Sequence, residues 1–196
     1  MTVPLLSCVI PCSNEEEGLA ALFARLYPAL DALGVPYEVI FVNDGGHDRS
    51  AALLREQFAT RPDVTRVILF NANYGQHLAI LAGFERVRGE RVVTLDADLQ
   101  NPPEEIGKLL AAMDAGADYV GGVRRNREAA WWRRPASRVM NRLRERIPRI
   151  RLTDQGCLLR ADSRDIADAI AAHREARVVI PALPYPLHNP PVAVAL

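Results

Sequence analysis

Residues 91–105 read Arg91-Val92-Val93-Thr94-Leu95-Asp96-Ala97-Asp98-Leu99-Gln100-Asn101-Pro102-Pro103-Glu104-Glu105. Arg91 to Leu95 is an apolar run of strand length that stops at two alternate aspartates, Asp96 and Asp98. Pro102-Pro103 then opens a helix, since proline is tolerated in a first turn. Its apolar stripe is Ile106, Leu109, Leu110 and Met113. A buried strand that passes through acids into a helix is part of a strand–helix–strand unit, and the same pattern recurs on both sides.

Upstream, Leu5 to Ile10 is a short buried strand closed by Pro11. Asn14 is placed to cap the next helix, with Glu15, Glu16 and Glu17 in a first turn where the helix dipole favours acids. Leu19, Leu22, Phe23, Leu26, Leu30 and Leu33 supply that helix's apolar face, and Gly34 ends it. Tyr37 to Val42 predicts a second strand, stopping at Asn43-Asp44-Gly45-Gly46. A helix is expected from about Asp48, a third strand from about Thr65 to Phe70, and a helix carrying Ile80, Phe84 and Val87. Downstream, Asp118 to Gly121 has the look of a fifth strand.

Repeated units of this kind predict an α/β fold: a Rossmann-like, mostly parallel sheet with helices on both faces and right-handed crossovers. Ligands of such sheets lie beyond the carboxyl ends of the strands. The polar clusters Asn14-Glu15, Asn43-Asp44 and Asp96 to Gln100 all fall at those ends, which predicts one shared site.

After Gly122 the pattern changes. Eleven arginines lie between Gly122 and Arg151, opposed by Glu128 and Glu145 alone. Trp131-Trp132 sits among them, and a helix is expected through Val139, Leu143 and Ile147. Thr153 to Gly156 reads as a polar turn, followed by a short strand near Cys157 to Arg160. Asp162 is placed to cap a last helix through Ile166 and Ile170. One domain is therefore expected over residues 1–177. Residues 178–196, with Pro181, Pro184, Pro186, Pro190 and Pro191, predict an extended, poorly packed tail.

The 196 residues are 49% hydrophobic and 24% charged with zero formal net charge, so nothing global points to nucleic acid. Cys8, Cys12 and Cys157 form neither a disulfide framework nor a zinc motif, and fit a reducing cytoplasm. The N-terminus has no basic region ahead of its apolar run, so no signal peptide is expected. No run approaches the ~18 apolar residues of a membrane span.

Alternate carboxylates at a strand end repel each other unless a cation lies between them. Oxygen ligands suit magnesium or manganese, ions that keep coordination positions open for phosphate oxygens. Asp96, Asp98 and the neutral oxygen of Gln100 are therefore candidate metal ligands, although an Asp-x-Asp can also be a solvated loop. Asp44 is a candidate acceptor for a base or ribose, or else one member of an Asn-Asp-Gly turn. Asn14 and Glu15, taken in isolation, read more readily as a cap and a first-turn acid than as ligands. His47 and His77 are conceivable bases, but no Ser-His-Asp or Cys-His set and no Gly-x-x-x-x-Gly-Lys phosphate loop is present. Arg138, Arg142 and Arg146 share one helical stripe and read as a solvated face. Arg124, Arg125 and Arg127, beyond the fifth strand, are better phosphate candidates. Trp131-Trp132 beside them suits a wet boundary such as a membrane surface.

Ile10-Pro11-x-x-Asn14-Glu15-Glu16, Val42-Asn43-Asp44-Gly45, Asn73-Tyr74-Gly75-Gln76-His77 and the run from Thr94 to Glu105 resemble the family 2 glycosyltransferases of GT-A fold. Within them the likeness is to polyprenyl-phosphate glycosyltransferases, the dolichol-phosphate mannosyltransferase type. It extends from about Pro4 to Ala182 and includes Gly121-x-Val123-Arg124 and Asp154-x-Gly156-Cys157-x-Leu159-Arg160. The resemblance implies that Pro11 to Glu15 and Asp44 hold the nucleoside of a nucleotide-sugar donor, a UDP-sugar by preference, with Asp96 near ribose and metal. It implies that Asp98 and Gln100 bind a divalent ion, magnesium or manganese, and that Arg124 and Arg127 steer an incoming polyprenyl phosphate. That phosphate would attack the anomeric carbon with inversion and need no general base. Work at the cytoplasmic face of an inner membrane, in cell-envelope or lipid A modification, is implied with it, and a homo-oligomer stays open.

Two departures from the family pattern stand out. Ser13 occupies a position where the family usually has an aromatic residue. Members of this type also continue into interfacial helices and usually two membrane spans, whereas here the proline-rich tail begins after about Leu183. The expectation is either a transferase or a module that binds donor without efficient transfer.

Overall fold

The computed structural model of the chain describes residues 4–123, 159–172 and 192–195. Seven strands form one sheet: β1 (Leu6–Cys12), β2 (Tyr37–Asn43), β3 (Thr65–Leu69), β4 (Arg91–Thr94), β5 (Tyr119–Val123), β6 (Arg160–Ser163) and β7 (Val192–Ala195). Their spatial order is β3-β2-β1-β4-β6-β5-β7. All pairings are parallel except those of β6, which lies antiparallel between β4 and β5. The mostly parallel α/β sheet expected from the sequence is therefore present, with one reversed strand let into it.

Every residue of β1 is buried, as is β2 after Tyr37, because helices cover both faces. On one face α1 (Leu19–Asp31) and α4 (Ile106–Asp114) bring Leu22, Leu26, Leu30, Ile106 and Leu109 onto Cys8, Ile10, Phe41 and Val93. On the other, α3 (Gln76–Phe84) and α5 (Arg164–Ala172) bring Ile80, Phe84, Ile166 and Ile170 onto Val9, Ile40, Val42 and Val92. The strict alternation along β1 and β2 is the two-residue period of a pleated strand. Burial of each such side chain is worth about 1.5–3 kcal/mol. The remaining helix, α2 (Ser50–Thr60), reaches the first face through Leu54.

Four local expectations are corrected. Asn14 does not cap α1: the cap position is Gly18, and Asn14 turns the chain in the left-handed region at φ 56°. Pro103–Glu105 form a 3₁₀ turn before α4 begins at Ile106. Asp162 is no helix cap but a fully buried residue of β6, ahead of α5. Within the stretch expected to be a poorly packed tail, Val192–Ala195 pair with Val120–Val123 as β7. The rest of that tail, the arginine-rich segment with Trp131-Trp132, the helix expected through Val139 and the turn at Thr153 to Gly156 lie outside the described residues. Among the described residues, no helix is long and apolar enough to cross a membrane.

Candidate active site

Beyond the carboxyl ends of β1 and β2, two loops are stitched together reciprocally. The Asn14 Oδ1 accepts the His47 N–H at 2.9 Å, Ser50 Oγ accepts the Glu15 N–H at 2.8 Å, and Asp48 Oδ2 accepts the Glu16 N–H at 3.0 Å. In return Glu16 Oε2 accepts the Arg49 N–H at 2.9 Å. Asn14 is held in its left-handed conformation by this lattice, where its short amide tolerates a positive φ. A cleft of about 480 Å³ opens between Asn14–Gly18 on one side and His47 and Asp48 on the other.

Acids crowd that rim. The Glu15 carboxyl is pushed above the usual range, first by burial and then by the charges of Asp98, Asp48 and Asp96. Residues at the ends of β1 and β4 thus share one electrostatic neighbourhood. Burial also raises Asp48, but the N–H and hydroxyl of Ser50 and the N–H of Glu16 outweigh it and hold the carboxyl below its ordinary value.

At the end of β4, Asp96 is half-buried and Asp98 and Gln100 are exposed. The Asp98 Oδ1 accepts the Gln100 N–H at 3.0 Å, closing a turn in which Leu99 stands at φ 57°. Asn101 beneath it is fully buried. The Asp96 Oδ1 accepts a hydrogen bond from Gln76 Nε2 at 3.1 Å.

Asp44 has an occupation that the sequence did not foretell. It is 3% exposed, and its two oxygens accept the N–H groups of Tyr74 at 2.7 Å and Gly75 at 2.8 Å. This buried carboxylate thus anchors the loop before α3. Pro11 is buried in β1, while Asn14 and Glu15 line the cleft. His47 and His77 are both exposed. Arg124 and Arg127 lie outside the described residues.

Among the described residues, no three His, Cys, Asp or Glu side chains are gathered into a metal cage. The donor set still fits a hard divalent ion. Magnesium commonly takes one or two carboxylates and completes its shell with water and substrate phosphates, and Asp96, Asp98 and Gln100 offer oxygen ligands only. A cation there would also relieve the repulsion among Glu15, Asp96 and Asp98.

Two residues that sequence reasoning passed over belong to this rim. Asp48 could have been found from its place two residues before Ser50, a helix-start signature. Gln76 lies inside the run Asn73 to His77, but only the folded chain brings it to Asp96.

A mostly parallel α/β sheet with acids gathered at its carboxyl rim is the GT-A architecture, and solved structures agree. Glucosyl-3-phosphoglycerate synthase from Mycobacterium tuberculosis, solved with phosphoglyceric acid, matches 98% of this chain and 70% of its own, with a TM-score of 0.65 and 16% identity. A mannosyltransferase from Pyrobaculum calidifontis, solved with GDP-Man and Mn²⁺, matches 87% of this chain and 47% of its own, with a TM-score of 0.61 and 18% identity. At such identities they speak for the fold. Residues 7–176 match Glycosyl transferase family 2, and the chain belongs to that family. It is 46% identical over 181 residues to the undecaprenyl-phosphate 4-deoxy-4-formamido-L-arabinose transferase of Aeromonas hydrophila subsp. hydrophila, covering 92% of this chain and 56% of that protein. The enzyme of the same name from Edwardsiella ictaluri is 46% identical over 183 residues, covering 93% and 56%. The chain spans little more than half the length of these relatives.

Proposed function

We propose that this chain is the catalytic domain of a metal-dependent, inverting glycosyltransferase that moves a sugar from a nucleotide donor, a UDP-sugar by preference, to undecaprenyl phosphate. The observation that carries the reading is the meeting of Glu15 with the Asp96-Ala97-Asp98 run beside Gly18, where a Cβ would lie 3.6 Å from Glu15 Oε2 and 3.9 Å from the Ala97 carbonyl oxygen, in a chain 46% identical to transferases named for that acceptor.

The nucleoside rests on Pro11, Asn14 and Glu15 in the cleft beyond β1, with Asp44 as its floor. Asp96, Asp98 and Gln100 would hold magnesium or manganese, which when bound neutralises charge on the diphosphate. An acceptor phosphate oxygen attacks the anomeric carbon in line. The new carbon–oxygen bond forms as the bond to the donor's β-phosphate oxygen breaks, the anomeric configuration inverts, and nucleoside diphosphate departs. No side chain has to remove a proton, because a phosphate monoester already carries between one and two negative charges at neutral pH. Arg124 and Arg127 are the residues of the chain best suited to draw that anion in. The work is done at a membrane surface, on the side where nucleotide sugars are available, and lipid A modification is the process it would serve.

The test is release of nucleoside diphosphate from a panel of UDP- and GDP-sugars, with undecaprenyl phosphate and Mn²⁺ present. Release that requires both metal and lipid phosphate is the expected result. Metal-dependent nucleotide binding with no turnover on any acceptor would reduce the chain to a donor-binding module. Neither binding nor turnover would end the donor reading altogether.

A further inference from the structure

We propose that Gln76 is a positioning residue for Asp96, and that Asp44 serves the same carboxylate at one remove by anchoring the loop from which Gln76 projects. The inference rests on the donor-site reading above and extends it to Gln76, which that reading leaves without a role, and to a second duty of Asp44.

The loop of residues 71–75 is pinned from three directions. From β2, the buried Asp44 carboxylate accepts the N–H groups of Tyr74 and Gly75 at 2.7 and 2.8 Å. From β1, Ser13 Oγ accepts a hydrogen bond from Asn73 Nδ2 at 3.2 Å while donating to the Asp44 carbonyl at 3.4 Å. From below, Gly45 (φ 61°) presses so closely that a Cβ there would lie 2.0 Å from the Ala72 carbonyl carbon. Gly75 then turns the chain at φ 94° into α3. That helix has no side-chain cap of its own, so the Asp44 carboxylate supplies from another element the negative charge a helix start favours. Gln76, the first residue of α3, reaches Asp96 across 3.1 Å.

A single exposed amide–carboxylate hydrogen bond adds little to stability, since water competes for both partners. Its consequence is orientation: one Asp96 oxygen accepts from a donor whose backbone follows directly on the anchored loop. The donor is also neutral. A lysine or arginine in its place would cancel the negative charge that a cation-binding carboxylate needs, whereas an amide holds the carboxylate and leaves its charge intact. Partners that orient ligating carboxylates behave in this way in metal sites generally, and their loss costs 10–100-fold in metal affinity.

The test is calorimetric titration of the 196-residue chain with UDP and with GDP, each with and without Mn²⁺, on the wild type, Gln76→Leu, Asp44→Asn and the double variant. For Gln76→Leu, the expected result is a 10–100-fold loss of Mn²⁺-dependent affinity with metal-free affinity and melting temperature unchanged. Asp44→Asn, which puts an amide donor against backbone N–H groups, should lose the same Mn²⁺-dependent affinity, bind nucleotide more weakly without metal as well, and melt lower. The double variant should bind no more weakly than the worse single one, because the two act through one contact. Wild-type affinity in Gln76→Leu, or additive losses in the double variant, would overturn the assignment and leave the donor site standing. Absence of Mn²⁺-dependent nucleotide binding in the wild type would overturn both together.

Discussion

Asp96 and Asp98 are two residues apart, yet the structure treats them differently. Asp96 is half-buried and braced by Gln76, whereas Asp98 is exposed and closes its own turn through the Gln100 N–H. Leu99 follows in the left-handed region, which costs a β- or γ-substituted residue about 1–2 kcal/mol. It stays there because its side chain packs against the core shared by α1 and α4. Asp98 therefore has two separable roles, a turn acceptor and a negative charge. Asp98→Asn keeps an oxygen for the Gln100 N–H and removes the charge. It should melt with the wild type and lose at least ~10-fold in Mn²⁺-dependent nucleotide affinity, in line with the loss of a charged ligand partner. Asp98→Ala should lose affinity equally and melt lower as well. Equal nucleotide affinity in Asp98→Asn and the wild type would remove this carboxylate from the metal site. Gly45 makes a different kind of prediction. With φ 61° and Ala72 in the space a Cβ would need, Gly45→Ala should cost more than the ~1–2 kcal/mol of a left-handed alanine backbone alone. Thermal denaturation would measure it.

Among the elements, β1 and β2 carry function at one end and stability at the other. Far from the acidic rim, Glu38 is 1% exposed. It accepts from Ser7 Oγ at 2.7 Å and from the Arg88 N–H at 2.8 Å, and it pairs with the guanidinium groups of Arg88 and Arg66. Burial pushes its carboxyl up, but Ser7, Arg88 and their hydrogen bonds prevail, so its pKa is lowered on folding. A carboxyl lowered on folding stabilises the fold above its unfolded pKa of about 4.3 and loses that contribution as pH falls through the folded value. Glu38→Gln should then cost about 2 kcal/mol at neutral pH. The gap from wild type should shrink as pH falls below about 4.3, as followed by melting curves between acid and neutral pH. A gap that stayed constant across that range would mean the charge contributes nothing. These strands were legible in the sequence because strands buried on both faces read as continuous apolar runs, as Leu5 to Ile10 and Tyr37 to Val42 do. Their ends were right to within a residue or two, as with β4, which stops at Thr94. What local pattern could not supply was pairing at a distance. Asn14 followed by three glutamates has the composition of a helix start, but the His47 N–H draws its side chain into a loop contact instead. That Asp44 would also anchor Tyr74 and Gly75 had no local sign, because those residues follow 30 and 31 positions later. Asp162 looked like a cap for want of any local sign that β4 and β5 would enclose it.

At the scale of the molecule, β6 joins the parallel strands β3-β2-β1-β4 to the pair β5-β7. The strand is short and crosses against its neighbours, and it carries a buried charge pair in the middle of the sheet. Arg160 and Asp162 are 3% and 0% exposed, 3.4 Å apart through Nε and Oδ2. The Arg160 guanidinium lies 5.9 Å from the centre of the Phe84 ring, close enough for a cation–π attraction. Burial drives the Asp162 carboxyl above its usual pKa, and the Arg160 charge pulls it partly back. Such a pair contributes little net stability against an apolar replacement, yet removing one partner strands the other at a cost of about 3–5 kcal/mol. Arg160→Met should therefore destabilise the whole sheet, because among the described residues this strand pairs with both β4 and β5 and joins them. Arg160→Met combined with Asp162→Leu should recover most of the loss. The single variant should also respond to pH in the opposite sense to Glu38. A carboxyl whose folded pKa is raised penalises the fold above that pKa, and the penalty is relieved as protons bind on acidification. Arg160→Met should thus close part of its deficit between neutral and mildly acid pH, whereas the double variant should show no such recovery. If the single variant melted with the wild type at neutral pH, Arg160 would not be neutralising Asp162, and β6 would be held by its backbone and apolar neighbours alone.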